Sequence, residues 1–171
     1  MGVSGCGKTT VGAILGKRMA LPFYDADTFH LASNIEKMSK GIPLGDEDRF
    51  PWLQNLSARI EQWEREGGAI VACSALKKIY RDILEEKVPG KVLFVYLHGS
   101  KEIIAQRMRG RTGHYMPAAL LDSQFAALEP PDGAMTVSIE DAPECIAAEI
   151  AEKLRFRKMG TAKNTDRHSA R

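Results

Sequence analysis

The residues Gly2-Val3-Ser4-Gly5-Cys6-Gly7-Lys8-Thr9 make a complete G-x-x-x-x-G-K-T phosphate-binding loop. Such a loop constrains the fold strongly, because it belongs at the junction between a buried strand and a helix. Gly5 and Gly7 let the backbone curl so that its N–H groups face inward. The helix starting near Lys8 adds its positive end to the same concavity. Lys8 can then reach the β- and γ-phosphates of ATP, and Thr9 can offer a hydroxyl to Mg²⁺, with Thr10 next to it on the first turn. Val11, Ile14, Leu15 and Met19 follow at helical spacing. Cys6 reads as a small neutral filler of the loop rather than a nucleophile. The position of the motif is unusual, since only Met1 stands ahead of Gly2 where a buried strand is expected.

The 171 residues suit one domain with a real core, and their composition is that of an ordinary globular protein. No apolar run approaches membrane-spanning length and no secretory signal is read. Cysteines at 6, 73 and 145 are too scattered for a disulfide framework or a zinc cluster. The expected home is therefore reducing and cytoplasmic. Charge is uneven: residues 155–171 hold six Lys or Arg against one Asp, so the rest of the chain carries −3 of the net +2. Residues 158–171 are expected to be a basic, disordered, solvated tail behind a domain at 1–157. No zinc-finger, RNA-binding or basic-helix pattern points to nucleic acid.

Strands and helices alternate along the chain. Strands are predicted at residues 21–24, 69–73, 92–97 and 135–139. Helices are predicted at 29–39, across a face made by Trp52, Leu53, Leu56, Ile60 and Trp63, and at 77–86, 101–108, 117–128 and 143–154. The two tryptophans read as core. This alternation predicts an α/β fold with a parallel sheet covered on both faces. The C-terminal strand ends then open on one ligand-binding edge, where Asp25, Cys73, Ser74 and His98 would emerge.

Several charged groups fall near that edge. Asp25 and Asp27, with His30 close behind, lie two residues apart beside the loop. One carboxylate can support Mg²⁺, and the other can orient an acceptor hydroxyl and take its proton. The same pair also fits an Asx turn that caps the next helix. Asp46 can be the cap of the long helix and Arg49 a surface charge, and Ser74 can cap the helix after it. Lys77 and Arg81, four apart, share a helical face that would suit an anion. Periodicity alone leaves each of these open. Arg107, Arg109 and Arg111 run into Gly113-His114, a basic loop that can fold over ATP or remain solvated. Arg107 can also lie against the adenine ring.

Beyond the loop, the chain carries Asp25-Ala26-Asp27 with His30, Asn34-Ile35-Glu36-Lys37-Met38, Gly41-Ile42-Pro43-Leu44 and Asp46-Glu47-Asp48-Arg49 with Pro51-Trp52. Further on come Cys73-Ser74-Ala75-Leu76-Lys77 with Tyr80-Arg81-Asp82, then Gly113-His114-Tyr115-Met116, Gln124-Phe125 and Leu128-Glu129-Pro130-Pro131. Over residues 2–131 these resemble the small P-loop gluconokinases, relatives of shikimate kinase and the nucleoside-monophosphate kinases. Cys6, Gly45 and Leu31-Ala32 depart from the family's usual Ser, Asn and His-Pro.

The resemblance implies a three-layer αβα P-loop NTPase fold with a parallel sheet of order 2-3-1-4-5, strand 1 being largely missing here. It also implies an acceptor region at about 28–66 and a lid at about 109–117. The implied reaction is phosphorylation of the 6-hydroxyl of D-gluconate by ATP with Mg²⁺. Lys8, Asp27 and Arg111 would be catalytic, and Thr9 and Asp25 would stand nearest the metal. Gly2, Val3, Ser4, Gly5, Cys6, Gly7, Lys8, Thr9, Thr10 and Arg107 would contact the nucleotide. Asp27, His30, Arg49, Lys77, Arg81, His114 and Gln124 would surround the acceptor, with Arg49 on its carboxylate. Relatives of this size suggest a homodimer. Two other readings are a kinase of another anionic acceptor such as shikimate and a weakly catalytic nucleotide-binding protein. The second follows from the central strand: four core side chains at about 1.5–3 kcal/mol each rival a domain stability of about 5–15 kcal/mol. Residues 1–171 alone are thus expected to fold poorly or turn over slowly.

Overall fold

The computed structural model describes residues 1–109 and 118–165. Helix α1 (Lys8–Met19) starts where Gly7 takes a φ of 98°, and ends at Ala20, whose N–H returns to the carbonyls of Gly16 and Lys17. Its glycines serve packing. A Cβ on Gly12 would lie 2.5 Å from the Phe23 ring, so the helix settles directly on strand β1 (Phe23–Asp25). A 3₁₀ turn (Ala26–Phe29) and α2 (Ala32–Ser39) follow. Next come the long α3 (Asp46–Arg65), β2 (Ile70–Ala72) and α4 (Lys78–Glu85). The chain continues through β3 (Val95–His98), α5 (Lys101–Arg109), α6 (Ala118–Ala127), β4 (Met135–Ser138) and α7 (Pro143–Thr165).

The elements match the expected alternation, with shifted ends. The periodicity predicts that the last helix stops at Leu154, whereas α7 runs on to Thr165, so residues 158–165 of the expected disordered tail are helical. Once a helix is nucleated, each added residue costs little, and Arg157, Lys158, Met159 and Ala162 are good helix formers. Strand β3 is shorter than the apolar run that predicts it. It begins at Val95, whereas Val92, Leu93 and Phe94 border a cavity.

Two apolar cores lie on opposite faces of the strands. One joins α1, α5, α6 and α7 to β3 and β4 through residues such as Val11, Leu15, Leu97, Ile104, Val137 and Ile150. The other joins α3 and α4 to β1 and β2 around Trp52, Leu56, Trp63 and Leu84. Trp63 stacks on Tyr24 with ring centres 4.1 Å apart, and Trp52 donates its indole N–H to the Ala26 carbonyl at 3.0 Å. Both tryptophans are core, as their helical spacing predicts.

The sheet differs from expectation. Strands β1 and β2 pair in parallel (Phe23 opposite Ile70), as do β3 and β4 (Val95 opposite Met135), but these are two separate two-stranded sheets. Between them lies the backbone of Met1 and Gly2. The Gly2 N–H donates to the Ser74 carbonyl at 3.1 Å, and the Leu97 N–H donates to the Met1 carbonyl at 3.0 Å. The Met1 ammonium donates to the Val95 carbonyl at 2.5 Å, and burial lowers its pKa to about 6. Behind Met1 a cavity of about 550 Å³ is walled by Val11, Leu15, Leu56, Val71, Val95 and Ile150, from both helical layers and both inner strands. This space lies between β2 and β3 and is largely apolar.

An extended apolar segment of about five residues placed ahead of Met1 would run the length of β2 at about 3.3 Å per residue. It should raise the melting temperature by about 5 °C or more, each recovered kcal/mol being worth about 2–4 °C at this size. The comparison is with an equally long Gly/Ser extension, by thermal unfolding. Equal melting temperatures would mean that the cavity is not a strand's place.

Candidate active site

The phosphate loop is held open by its glycines. Gly5 (φ 84°) and Gly7 (φ 98°) occupy left-handed conformations, and a Cβ on Gly5 would meet Met108 at 2.7 Å. Gly2 is equally confined, with the Leu97 carbonyl 2.9 Å from where a Cβ would stand. Cys6 is buried in the core, in keeping with its reading as a filler. The Lys8 ammonium donates to the Val3 carbonyl at 3.0 Å, inside the loop it serves. Gln124 reaches the loop from α6: its side-chain carbonyl accepts the Ser4 N–H at 2.6 Å and its amide donates to the Ser4 hydroxyl at 3.1 Å.

Strand β1 delivers Asp25 to the same edge. The Thr9 hydroxyl donates to Asp25 Oδ2 at 2.7 Å, while Oδ1 accepts the Asp27 N–H at 3.1 Å. Asp25 is therefore both the turn cap and the loop's neighbour. A hydroxyl and a carboxylate oxygen this close form a hard-oxygen pair suited to Mg²⁺, which takes few protein ligands and keeps phosphate and water for the rest. The described residues hold no cluster of three or more His, Cys, Asp or Glu able to cage a metal.

Asp27 projects outward with 75% of its side chain exposed, 3.8 Å from His30 Nε2. His30 is buried against Trp52, ring centres 4.2 Å apart, and Asn34 Nδ2 approaches its Nδ1 at 3.5 Å. Asn34 also donates to the Asp48 carbonyl at 2.8 Å, which ties α2 to α3. Burial lowers the His30 pKa against the raising effect of Asp27, and Arg49 lowers it further, so the ring is neutral at pH 7.

A second cavity of about 200 Å³ lies between the starts of α3 and α4 and one face of α6, lined by Leu44, Asp46, Arg49, Lys77, Tyr80 and Gln124. Asp46 is not the helix cap. The Gly45 N–H is taken by Asp48 at 3.0 Å, and Asp48 is also bonded to Lys37 at 2.6 Å. The Asp46 carboxylate instead accepts Lys77 Nζ at 2.7 and 2.8 Å and the Tyr80 hydroxyl at 2.5 Å. The Lys77 hydrogen bond, then that of Tyr80, holds the Asp46 pKa below the usual carboxylate range, and Asp46 raises that of Lys77. Arg49 donates Nε to the Leu44 carbonyl at 3.3 Å, and among the described residues it forms no ion pair.

Two expected residues, Arg81 and Ser74, sit differently. Arg81 does not share the cavity with Lys77: it is buried, and its Nη1 donates to the carbonyls of Ala75, Leu76 and Glu129, each at 3.1 Å. It clamps two loops, because three converging carbonyls are the partners a buried guanidinium requires. Arg107 donates to the Ile139 carbonyl beyond β4, and Ser74 gives way to Glu129, whose carboxylate accepts the Lys78 N–H at the start of α4. Arg111 and His114 lie outside the described residues. Sequence reasoning missed Asp46 as a cavity residue and Tyr80 altogether. The signal available was Tyr80 in the first turn of α4, three positions after Lys77.

The lowered pKa of His30 has a consequence for stability. Below its ordinary value of 6.5 the unfolded chain takes up a proton that the native ring resists, so stability is full above that pH and falls as pH drops toward the lowered value. The melting temperature should decline between pH 6.5 and 5, and His30→Gln should flatten that decline. An unchanged slope in the variant would clear His30 of the effect.

Comparison with known proteins gives the family. Residues 4–127 match the family model for shikimate kinase. A probable gluconokinase of Rattus norvegicus is 44% identical over 176 residues, covering 91% of this chain and 95% of the relative. The thermosensitive gluconokinase of Escherichia coli K12 is 50% identical over 132 residues, covering 77% and 70%. The crystal structure of a gluconokinase from Sinorhizobium meliloti superposes with a TM-score of 0.81 at 43% identity, over 92% of this chain and 94% of that one. The phosphate loop, the Thr9–Asp25 pair and the cavity beside Gln124 stand within this shared fold, and the chain belongs to the gluconokinase family of shikimate-kinase-like P-loop kinases.

Proposed function

We propose that this chain transfers the γ-phosphoryl group of ATP to the 6-hydroxyl of D-gluconate, giving 6-phospho-D-gluconate and ADP. The observation that carries the reading is the 200 Å³ cavity, with Arg49, which forms no ion pair among the described residues, on one side and Gln124, bonded to the phosphate loop, on the other. An anionic acceptor of a few carbons fits between those two markers. The gluconokinase relatives favour gluconate as that acceptor.

The loop N–H groups and Lys8 would hold the phosphates, and Gln124 links the loop to the cavity. Thr9 and Asp25 are the residues that would hold Mg²⁺, which supplies charge neutralisation on the β- and γ-phosphate oxygens. Arg49 pairs with the acceptor's carboxylate, leaving its far end to the loop. Asp27 accepts the proton of the 6-hydroxyl as its oxygen bonds to the γ-phosphorus and the bond to the bridging oxygen of ADP breaks. His30 stands behind Asp27, its Nε2 3.8 Å from the carboxylate. Arg111 and His114 are assigned to the lid, and Arg107 to the adenine side. The two half-sheets are read as the flanks of one sheet in the order 2-3-1-4-5, with residues 1–3 the end of its central strand.

The 550 Å³ cavity favours a second reading, a chain that binds nucleotide and turns over slowly. The assay is ADP formation with Mg²⁺ across gluconate, shikimate and nucleoside monophosphates. Gluconate-dependent ADP formation is expected. A faster rate with shikimate would replace the acceptor, and ATP binding without acceptor-dependent turnover would favour the second reading. Asp27→Asn should lower kcat by about 10²-fold or more, in the range of general base catalysis, with KM for ATP little changed. A near-normal kcat would remove Asp27 from the mechanism.

A further inference from the structure

Asp46, Lys77 and Tyr80 form a polar cluster in the wall of the 200 Å³ cavity. Its unused hydrogen-bonding capacity can be counted. A carboxylate has about four acceptor sites; Asp46 uses two on Oδ1, for Lys77 and Tyr80, and one on Oδ2, for Lys77. One acceptor site remains on Oδ2. The Lys77 ammonium has three donors, two of them committed to Asp46, so one donor remains. The Tyr80 hydroxyl spends its proton on Asp46 and keeps oxygen lone pairs. Asp46 and Lys77 keep 43% and 30% of their side chains exposed, so their residual capacity is open to a ligand in the cavity, while Tyr80 is buried and borders the cavity as part of its wall.

Two acceptors and one donor side by side select one kind of partner. A hydroxyl can accept from Lys77 and donate to Asp46 at once, and a neighbouring hydroxyl can donate to Tyr80. A carboxylate has no proton to give and would face the negative charge of Asp46. Lys77 is already neutralised by that charge, so it does not compete with Arg49 for an acid group. A carbon bearing no hydroxyl would strip water from all three groups and return nothing.

We propose that the Asp46–Tyr80–Lys77 cluster is the acceptor-specificity element of this site: it reads adjacent hydroxyls on the carbon chain of a polyhydroxy acid, while Arg49 reads the carboxylate. The inference rests on the kinase reading above and adds to it the residues that tell a sugar acid from an acid with few hydroxyls. A site built to hydrogen-bond a hydroxyl rejects the analogue that lacks it strongly, because the groups left behind are unpaired. Asp46 and Tyr80 act on binding and register, not on the transferred phosphoryl group.

The experiment uses the whole chain with ATP and Mg²⁺, and the acceptors D-gluconate, its single-deoxy analogues at carbons 2 to 5, and shikimate. In the unmodified protein, one or two deoxy positions should lower kcat/KM by about tenfold or more, the scale of one lost hydrogen bond with an unpaired partner. Tyr80→Phe and Asp46→Asn should each raise KM for gluconate by about tenfold, with KM for ATP within about twofold. The decisive readout is coupling. Each variant should lose little further rate with the one analogue that lacks the hydroxyl it reads, and should lose its full factor with the others. Because Asp46→Asn can disturb α3, Tyr80→Phe, which only removes an oxygen, is the second arm, with melting temperatures measured for both. If gluconate is turned over but the variants weaken every acceptor equally, the cluster is structural and this inference fails while the kinase reading stands. If the unmodified protein phosphorylates no polyhydroxy acid, both fail.

Discussion

The backbone of Met1 and Gly2 joins the two halves of the molecule. Its hydrogen bonds to Ser74 on one side and to Val95 and Leu97 on the other set the spacing between β2 and β3. Everything at the ligand edge hangs from that spacing. The phosphate loop leaves directly from Gly2, Asp25 arrives from β1, which pairs with β2, and the small cavity opens just past Ala75 and Leu76. The link is short for what it holds, since the apolar space behind it has strand-edge walls and no strand among the described residues. Packing of α1 against α7 and of α3 against α4 closes the two faces around that gap.

Charge at the site is arranged by cancellation. Lys77 is neutralised by Asp46, Lys37 by Asp48, and Arg81 is consumed by backbone carbonyls. Arg49 remains, its Nε on a carbonyl and its charge uncompensated by an ion pair among the described residues. A site with several cations in its sequence thus offers one clear anchor for an acid. The carboxylates divide as well: Asp25 is turned to Thr9, Asp46 to its lysine, and Asp27 is left outward with a neutral histidine behind it. Separate environments give like groups separate tasks.

Much of this was legible in the residues. The loop, the helix behind it, the strand ending at Asp25 and the buried tryptophans depend on local spacing, where steric rules and periodicity act over a few residues. What escaped was contact across the chain. Asp46 meets Lys77 and Tyr80 from 31 and 34 positions away, and Gln124 meets Ser4 from 120 away. The spacing of Lys77 and Arg81 suggested one shared helical face, but Lys77 stands in extended backbone just ahead of α4, and three carbonyls converge on Arg81 alone. The end of α7 escaped for another reason, because helix propagation depends on a nucleus already packed and not on the apolar pattern of the residues it adds.

The sequence by itself determined that the chain folds as alternating strands and helices around a phosphate loop, because the glycines and the lysine must stand together to make that loop work. It also determined which residue types would be available at the edge. The tertiary structure decided which charges remain open and which are cancelled, and it decided that the backbone of Met1 and Gly2 lies between β2 and β3. Both depend on distances between segments far apart in the chain, where a shift of a few ångströms separates a hydrogen bond from none.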